Sequence, residues 1–438
     1  MRELTIDAVG AQGDGLSRNA EGKGAAFVPL TLPGERVLAN MEGARGEVAE
    51  ILSASPDRVT PPCRHFGTCG GCALQHWAAE PYRAWKAEQI RLQLSMEGLE
   101  TEILPTFAAP PASRRRVALH ARKGPKGASA LLGFKERRSW NLVPIQECPV
   151  TDPRLVAALP ALARLAEPFL EHPKSAPTLH VTLTGTGLDI DVTGVERKSG
   201  GLSADARMRA AMAASEGDFA RVTLAGETVY GARQPLVKLG PAVGGPAAPA
   251  QRRSGQPLVK LGPAVVALPA GAFLQAVPAA ERAMVDFAVA EAQGASRLAD
   301  LYCGVGTFTF RLAEIGAVHA AEMSAPAIEA LKSAMGSTSG LKPINAEARD
   351  LIRRPVLSTE LAKTDVVVID PPRAGAAEQT VEIAKSKVAK VIGVSCNPGT
   401  FAKDARALVE AGFRLEKALP VDQFVWSPHI ELVGVFTR

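Results

Sequence analysis

Two glycines and one glutamate have the spacing of a nucleotide-binding turn. Gly304 and Gly306 follow the apolar run Leu298–Tyr302, which we predict to be a short buried strand, and Thr307 would open an apolar-faced helix. Such glycines let the backbone approach a ligand, and a helix N-terminus offers unpaired N–H groups. Glu322 lies 18 residues after Gly304, the distance at which an acid takes ribose hydroxyls. The same glycines could also form an ordinary strand-to-helix turn.

Two further polar side chains end predicted buried strands. The apolar runs DVVVID and VIGVSC finish in Asp370 and Cys396, and each is followed by prolines that would stop the strand. Open α/β sheets bind ligands beyond the carboxyl ends of their strands. We therefore expect both side chains near the glycine turn, where the thiol is either a nucleophile or a small buried packing residue.

Three thiols lie within ten residues near the N-terminus. Cys63, Cys69 and Cys72 are separated by five and two residues, and the glycines between them allow sharp turns. These thiols can converge on one soft metal centre, and Cys148 is the other cysteine available as a fourth ligand before the C-terminal half. The spacing alone does not separate zinc from an iron–sulfur cluster.

The composition is that of a globular chain with two or three domains. It has 438 residues, of which 46% are apolar and 22% charged. The N-terminus lacks an apolar signal core, and no uninterrupted apolar run is long enough to cross a membrane. We therefore expect a cytoplasmic protein without membrane contact, in which six cysteines favour metal binding or catalysis over disulfides.

The net charge of +5 is unevenly distributed. Arg114–Arg138 holds nine lysines and arginines against the single acid Glu136, with Phe134 inside the segment and Trp140 just beyond it. Such a segment suits phosphate neutralisation with occasional base stacking, although a solvated strand face has the same composition. Because the net positive charge of this segment exceeds the net charge of the whole chain, we interpret the segment as an RNA contact.

Two other stretches would support these groups. Met1–Ser55 has β-like runs separated by glycine-rich turns, the pattern of a small β-barrel. Glu80–Leu99 has helical spacing; its aromatic residues are predicted to be core rather than base-stacking groups, and it could pack onto the C-terminal half. Neither pattern by itself indicates a function.

A ten-residue segment, QPLVKLGPAV, occurs twice, at Gln234–Val243 and Gln256–Val265. Two copies are too few for a stacked repeat array. We therefore predict a tandem duplication in which one copy forms the strand that enters the C-terminal domain. The other copy, with its linker, would be an exposed flexible loop.

Together these motifs resemble a known family. DLYCGVGTF, DPPRAG and SCNPGTFAKD are similar to segments of the RNA uracil-5-methyltransferases, which use S-adenosylmethionine, and the resemblance covers nearly the whole chain. It implies an α/β fold with a Rossmann-like class I methyltransferase domain at residues 266–438. A TRAM-like β-barrel of the oligonucleotide-binding type would occupy residues 1–56. Residues 57–265, including the duplicated segment 234–265, would form a β-rich central domain that carries an iron–sulfur cluster and binds RNA.

The resemblance also implies ligands for two cofactors. Val277 stands where the family commonly has Asn, and Asp350, a possible partner of the adenine amino group, could equally be a surface acid. A [4Fe–4S] cluster is implied on Cys63, Cys69, Cys72 and Cys148, with a structural and RNA-positioning role, because this methyl transfer needs no redox step. The residues implied to bind S-adenosylmethionine are Gln275, Tyr302, Gly304, Glu322, Asp350 and Asp370.

The chemistry of uracil assigns roles to two more residues. Uracil C5 is a poor nucleophile, so a thiolate must first add to C6, and we expect Cys396 to do so. C5 would then take the methyl group, a base would remove the C5 proton, and Cys396 would leave. The family's H-x-E segment falls in PHIELVGVF, which implies Glu431 as that base. The adjacent apolar run could raise its pKa, which would suit proton removal near neutral pH, although the sequence fits a water-exposed acid at a strand edge equally well.

Several alternatives were weighed. The barrel and the four cysteines resemble the ribosomal RNA branch of the family, so 23S rRNA is favoured over tRNA, and a monomer is expected. A dinucleotide dehydrogenase would give no role to Cys396. An RNA cytosine-5 methyltransferase would place its attacking cysteine in the segment that here reads Asp370-Pro371-Pro372, which has none. A non-catalytic, cluster-bearing rRNA-binding assembly factor remains the alternative of another class.

Overall fold

The computed structural model describes residues 1–18, 24–125, 129–196, 202–240 and 264–438. Lys126 of the basic segment and most of the second QPLVKLGPAV copy lie outside these ranges. Three large sheets follow one another along the chain and are joined by helices and by one short hairpin. In the part of the chain that is described, no helix combines the length and the apolar character that crossing a membrane requires.

The first sheet uses the predicted β-like runs. It has the strand order β1-β5-β6-β4-β3-β2, and its neighbours are antiparallel except at the β4–β6 contact. Alternate side chains point into a small core that includes Leu4, Val28 and Val37. The strands are β1 (Arg2–Thr5), β2 (Ala8–Val9), β3 (Asp14–Arg18), β4 (Ala25–Pro29), β5 (Arg36–Glu42) and β6 (Arg45–Ser53).

The predicted helix after the cysteine-rich segment is α1 (Ala79–Met96). It buries Tyr82, Trp85, Ile90 and Leu94, as the helical spacing predicts. It also buries a charged residue, Lys86, which the spacing does not predict. Two short strands follow, β7 (Glu102–Ile103) and β8 (Phe107–Ala108), and both join the C-terminal sheet rather than the central one.

The central sheet has seven strands in the order β11-β10-β9-β12-β13-β14-β15. Three helices and a 3₁₀ turn (Glu167–Leu170) pack their apolar side chains, among them Leu162 and Phe169, against it. Side chains of Asp152 and Ser203 cap the first and third of these helices. The elements are β9 (Arg116–Arg122), β10 (Leu131–Lys135), β11 (Leu142–Pro144), α2 (Pro153–Ala157), α3 (Leu159–Ala166), β12 (Thr178–Thr184), β13 (Gly187–Thr193), α4 (Ala204–Glu216), β14 (Arg221–Leu224) and β15 (Glu227–Gly231).

The first QPLVKLGPAV copy contributes a strand, β16 (Leu236–Leu239). It pairs in antiparallel fashion with β17 (Ala264–Ala267), which begins with the last two residues of the second copy. Both strands bury apolar side chains against the C-terminal domain. Both copies therefore contribute to strands within the described ranges, the first to β16 and the last two residues of the second to β17. The rest of the second copy and the linker, on which the loop prediction depends, lie outside those ranges.

The C-terminal sheet is doubly wound, in agreement with the predicted fold class. Its order is β20-β19-β18-β21-β22-β24-β23-β7, with β8 also paired to β23. Strands β18 to β22 are parallel and β24 runs antiparallel to β22. The elements are α5 (Pro278–Glu291), β18 (Arg297–Leu301), α6 (Thr309–Leu312), β19 (Ala317–Glu322), α7 (Ala325–Ser337), β20 (Ile344–Ala348), a 3₁₀ turn (Glu360–Lys363), β21 (Val366–Ile369), α8 (Ala377–Lys385), β22 (Lys390–Ser395), α9 (Pro398–Glu410), β23 (Arg414–Asp422) and β24 (Glu431–Thr437).

This topology brings the predicted polar strand ends to one edge. The strand order reverses at β18, between β19 and β21, which is the position where open α/β sheets bind ligands. The strands at the centre are apolar on both faces because helices cover both. Helix α1 packs on α9 and β23, so a segment that precedes the central sheet completes the C-terminal domain.

The glycine turn differs from its prediction in one respect. The helix begins at Thr309 rather than Thr307 and has only four residues. The backbone angle φ is +63° at Tyr302, +55° at Gly304 and +97° at Gly306. The positive φ angles end at Gly306, and the turn continues through Phe308 before the helix begins.

Candidate active site

Three strand ends bring a thiol and two carboxyl groups together. Asp370 follows β21, Cys396 follows β22 and Glu431 begins β24. Ser395 pairs with Leu432 in the antiparallel register, so Cys396 and Glu431 lie side by side at the edge of the sheet. The pKa of the Cys396 thiol is raised by burial and by the charges of Glu431 and Asp370, whereas Arg373 opposes this shift.

A chain of hydrogen bonds joins the two carboxyl groups through two amides. Gln275 Nε2 donates to Asp370 Oδ2 at 3.4 Å. Gln423 Nε2 donates to Gln275 Oε1 at 2.8 Å and to Glu431 Oε1 at 2.9 Å. Gln423 is buried and was not predicted as a site residue. The signal that could have found it is its position directly after β23, beside the strand that carries Glu431.

Both carboxyl groups have unusual acidity because they are removed from water. Desolvation raises the pKa of Asp370 to about 7, although Gln275 opposes the shift. Desolvation and the charge of Asp370 raise the pKa of Glu431 to about 8, and the amide of Gln423 opposes that shift. A carboxylate with such a pKa is a stronger base than an exposed one, so Glu431 is suited to removing a proton near neutral pH.

The glycine turn is held against Glu322. The N–H of Gly304 donates to Glu322 Oε2 at 3.2 Å, and the N–H of Ser324 donates to Glu322 Oε1 at 2.8 Å. A side chain at Gly304 would meet no protein atom within 4 Å, so this part of the turn faces open space. A Cβ at Gly306 would lie 2.7 Å from the Phe310 ring, so the turn requires glycine there.

The turn also contains buried polar groups. Asp300, at the centre of β18, accepts a hydrogen bond from the Thr309 hydroxyl, and burial raises its pKa to about 7. The hydroxyl of Tyr302 has no hydrogen-bond partner among the described residues, and burial raises its pKa to about 12. Cys303 is buried in the turn.

Asp350 follows β20, at the same edge of the sheet. Its carboxylate accepts hydrogen bonds from the N–H groups of Ile352, at 3.1 Å, and Arg353, at 3.3 Å. The side chain therefore closes a local turn and is partly exposed. This arrangement neither requires nor prevents the predicted contact with an adenine ring.

The four predicted metal ligands line one cavity of about 290 Å³. Burial raises the pKa of Cys72 to about 12, and the neighbouring thiols Cys148, Cys69 and Cys63 add to the shift. Within the described ranges, however, no three or more histidine, cysteine or acidic side chains are arranged to hold a metal ion. The thiols therefore share a cavity without converging on a single point.

The same cavity reaches the catalytic edge of the sheet. Its wall includes Phe424, Val425, Ser427 and His429 from the loop between β23 and β24. This loop begins at Gln423 and ends just before Glu431. The cysteines therefore share a cavity with this loop, which begins with the buried Gln423 and leads into the buried Glu431.

Several cations of the basic segment bind other parts of the protein. Arg137 and Arg138 both pair with the buried Asp14 of the first sheet, each at 2.6 Å. Arg115 pairs with Glu281 at 2.6 Å, and the Arg114 guanidinium lies 5.5 Å from the centre of the Phe424 ring. Part of this positive charge therefore joins domains, which the count of charges along the sequence cannot reveal.

Other residues near the segment remain exposed. Trp140 is 87% exposed, and Lys135 Nζ lies 3.7 Å from the centre of its indole ring. Arg122 and Lys123 are also exposed. An exposed aromatic ring with neighbouring cations is a suitable surface for stacking a base beside a phosphate.

Comparison with known proteins agrees with this site. The sequence model of the tRNA (Uracil-5-)-methyltransferase family matches residues 265–438. An uncharacterized RNA methyltransferase of Caulobacter vibrioides is 81% identical over the full length of both chains. The 23S rRNA (uracil(1939)-C(5))-methyltransferase RlmD of Halomonas elongata is 34% identical, over 98% of this chain and 88% of that protein.

One solved structure is similar over its whole length. The Pyrococcus abyssi tRNA (uracil-54, C5)-methyltransferase in complex with S-adenosyl-L-homocysteine superimposes with a TM-score of 0.67. The alignment covers 100% of both chains at 20% identity. At this identity, the similarity shows a common fold.

Proposed function

The chain belongs to the S-adenosylmethionine-dependent RNA uracil-5-methyltransferase family, and we propose that it methylates C5 of a specific uridine in 23S rRNA. The observation that carries this proposal is the register of β22 and β24, which sets Cys396 beside Glu431. A nucleophilic thiol and a strongly basic carboxylate next to each other are the two groups that addition to C6 and proton removal from C5 require.

S-Adenosylmethionine would lie along the carboxyl ends of β18, β19, β20 and β21. Glu322 would accept hydrogen bonds from the ribose hydroxyls, and Asp350 from the adenine amino group. Tyr302 and Gly304 would contact the methionine end of the cofactor, where the turn faces open space. Gln275 and Asp370 would face the sulfonium, whose positive charge offsets the cost of ionising a buried carboxyl group.

Cys396 would react as the thiolate. Its sulfur forms a bond to C6, and the electron pair displaced onto C5 takes the methyl group from the sulfonium. Glu431 then removes the C5 proton, the C5–C6 double bond re-forms, and the C6–S bond breaks. Arg373 favours ionisation of the thiol, as the positive charge of a bound sulfonium would, whereas Glu431 and Asp370 oppose it. Cys396, which forms and breaks the bond to C6, and Glu431, which takes the proton, are the two protein groups that react in these steps.

We propose that Cys63, Cys69, Cys72 and Cys148 hold a [4Fe–4S] cluster. The support is that the four thiols line one cavity whose volume exceeds that of a single ion. The cluster would have a structural role, because the bond changes described above involve no net oxidation or reduction.

The domain division proposed is a TRAM-like barrel at residues 1–56, a cluster-bearing central domain at 57–265 and a methyltransferase domain at 266–438. We propose that the protein acts as a monomer in the cytoplasm. Ribosomal RNA is favoured over tRNA because the relative named for 23S rRNA activity is 34% identical to this chain, whereas the solved tRNA methyltransferase is 20% identical. The exposed Trp140, with Lys135 against its ring, is the proposed first contact for RNA outside the active site.

The test is methyl transfer from labelled S-adenosylmethionine by anaerobically purified protein. Unmodified large-subunit rRNA and unmodified tRNA are offered side by side, and the product nucleoside is identified. Label in rRNA as 5-methyluridine is the expected result, and label only in tRNA would refute the substrate. Binding of rRNA without any product, in the wild type as in Cys396→Ala, would instead support the assembly-factor alternative.

A further inference from the structure

The loop between β23 and β24 carries the groups on which proton removal depends. Gln423 is its first residue, and Glu431 follows its last. Within the described ranges, the hydrogen bonds that the loop makes to itself or to the end of β23 include Gln423 N to Val421 O and Ser427 N to Phe424 O, each spanning a few residues. Such short turns do not by themselves fix the loop relative to the sheet.

Lys86, on helix α1, bridges the two ends of this loop. Its Nζ donates to Asp422 Oδ1 at 2.9 Å, at the start of the loop, and to the carbonyl oxygen of His429, near its end. The Lys86 side chain is 0% exposed and that of Asp422 is 1% exposed. One ammonium group therefore connects the two ends of the loop.

Tyr82 lies one helical turn before Lys86, on the same face of α1. Its hydroxyl donates to Asp422 Oδ2 at 2.7 Å and accepts from the N–H of Trp426, at the middle of the loop, at 2.8 Å. Trp426 has a φ of +60°, and its carbonyl oxygen accepts from the N–H groups of Ala73, at 2.8 Å, and Leu74, at 3.0 Å. A residue with this unfavourable backbone angle persists where its surroundings hold it on both sides.

Stability does not explain this buried ion pair. Taking two charges out of water costs several kcal/mol per ion, and apolar residues of the same volume often give an equally stable protein. Apolar residues could not, however, join a carboxylate at one end of the loop to a carbonyl oxygen at the other. The contact that distinguishes Lys86 from an apolar side chain is therefore the bridge across the loop.

We propose that Tyr82 and Lys86 are positioning residues that hold Glu431 and Gln423 in the geometry needed for proton removal from C5. This inference rests on the proposed function, since it assigns the two residues to one step of that reaction. The methyl transfer itself depends on Cys396 and the cofactor turn, which lie on other elements. Loosening the loop should therefore slow the last step and leave the earlier ones intact.

The experiment separates these steps with two RNA substrates. In RNA with 5-fluorouridine at the target, Cys396 can add to C6 and C5 can accept the methyl group, but C5 then has no proton to lose, so the protein–RNA adduct persists on a denaturing gel. In ordinary RNA the adduct breaks down once the proton is removed. The variants are Tyr82→Phe and Lys86→Met, with Tyr230→Phe and Lys332→Met as matched controls outside the loop.

For Tyr82→Phe we expect about a 10-fold lower kcat on ordinary RNA with an unchanged KM, which corresponds to one lost hydrogen bond. The rate of adduct formation on 5-fluorouridine RNA should stay within about twofold of wild type. Tyr82→Phe should also accumulate an adduct on ordinary RNA, whereas neither control variant should do so. Lys86→Met should show a larger effect of the same kind; if it does not fold, Tyr82→Phe decides.

Two outcomes would overturn the inference. Turnover and adduct formation could fall in parallel, which would indicate a general structural role for α1, or Tyr82→Phe could turn over ordinary RNA at the wild-type rate. Failure of the proposed function is recognised separately, because wild-type protein would then form neither 5-methyluridine nor the 5-fluorouridine adduct.

Discussion

Replacing Gln423 by methionine should shift the pH dependence of turnover. The substitution keeps the length of the side chain but removes the amide that donates to Glu431 Oε1 at 2.9 Å. A hydrogen bond to a charged group contributes about 1.5–3 kcal/mol, and one pKa unit corresponds to about 1.4 kcal/mol. Without this bond, the pKa of Glu431, already raised to about 8 by burial, should rise further by roughly one unit.

Only the ionised carboxylate of Glu431 can remove a proton. Turnover should therefore rise with pH and level off above the pKa of Glu431. In Gln423→Met, kcat at pH 7 should fall roughly 10-fold, and the difference from wild type should disappear at a pH well above the pKa. The assay is kcat for labelled methyl transfer between about pH 6 and pH 10 at saturating RNA and cofactor. Gln293→Met is the control, because that amide donates to a backbone carbonyl oxygen of the helix that precedes it, α5, away from the active site.

An equal loss of turnover at every pH would refute this reasoning. Gln423 also donates to Gln275, which donates to Asp370. Such a loss, together with a higher KM for S-adenosylmethionine, would mean that Gln423 acts through the cofactor site instead.

Three further predictions concern stability and the remaining motifs. Because the folded state raises the pKa of Glu431 from its usual 4.5 to about 8, its contribution to stability is complete below about pH 4.5 and is lost progressively as pH rises from there through about 8. The Tm of Glu431→Gln should therefore equal that of wild type near pH 4 and exceed it near pH 9, and a constant difference would contradict this. Cys148→Ser should lower the iron content and visible absorbance of anaerobically purified protein, whereas the same change at the buried Cys303 should not. Deleting residues 234–255 leaves LVKL and AVVA separated by Gly-Pro, the spacing of a two-residue hairpin with glycine first, so folding and activity should persist, and loss of either would refute the duplication hypothesis.

The parts of this fold that sequence predicts well are those with a local cause. Apolar runs such as DVVVID form the predicted strands because helices cover both faces of the sheet. Once the strands are parallel, their polar ends must meet at one edge, so Asp370 and Cys396 come together as expected. Glu431 joins them because β24 runs in the opposite direction and begins where β22 ends.

The features that the sequence patterns do not predict depend on contacts between residues that are far apart in the chain. A lysine in the middle of a helix is usually exposed, and the partner that allows Lys86 to be buried, Asp422, lies 336 residues away. The basic segment was misjudged in part for the same reason. Arg137 and Arg138 appear as surface cations in the sequence, but their shared partner Asp14 belongs to the first sheet.

These distant contacts suggest a reason for the position of Glu431 where the loop meets β24. Catalytic groups held by strands alone would be in place as soon as the C-terminal sheet folded. Here the loop that flanks Glu431 is anchored by Tyr82 and Lys86 of α1 and by the segment that follows Cys72, and it forms part of the wall of the cysteine cavity. Proton removal therefore depends on an N-terminal region that contributes no reacting atom. A protein that had not yet assembled this region could bind its cofactor through the glycine turn, yet it would release methylated RNA slowly.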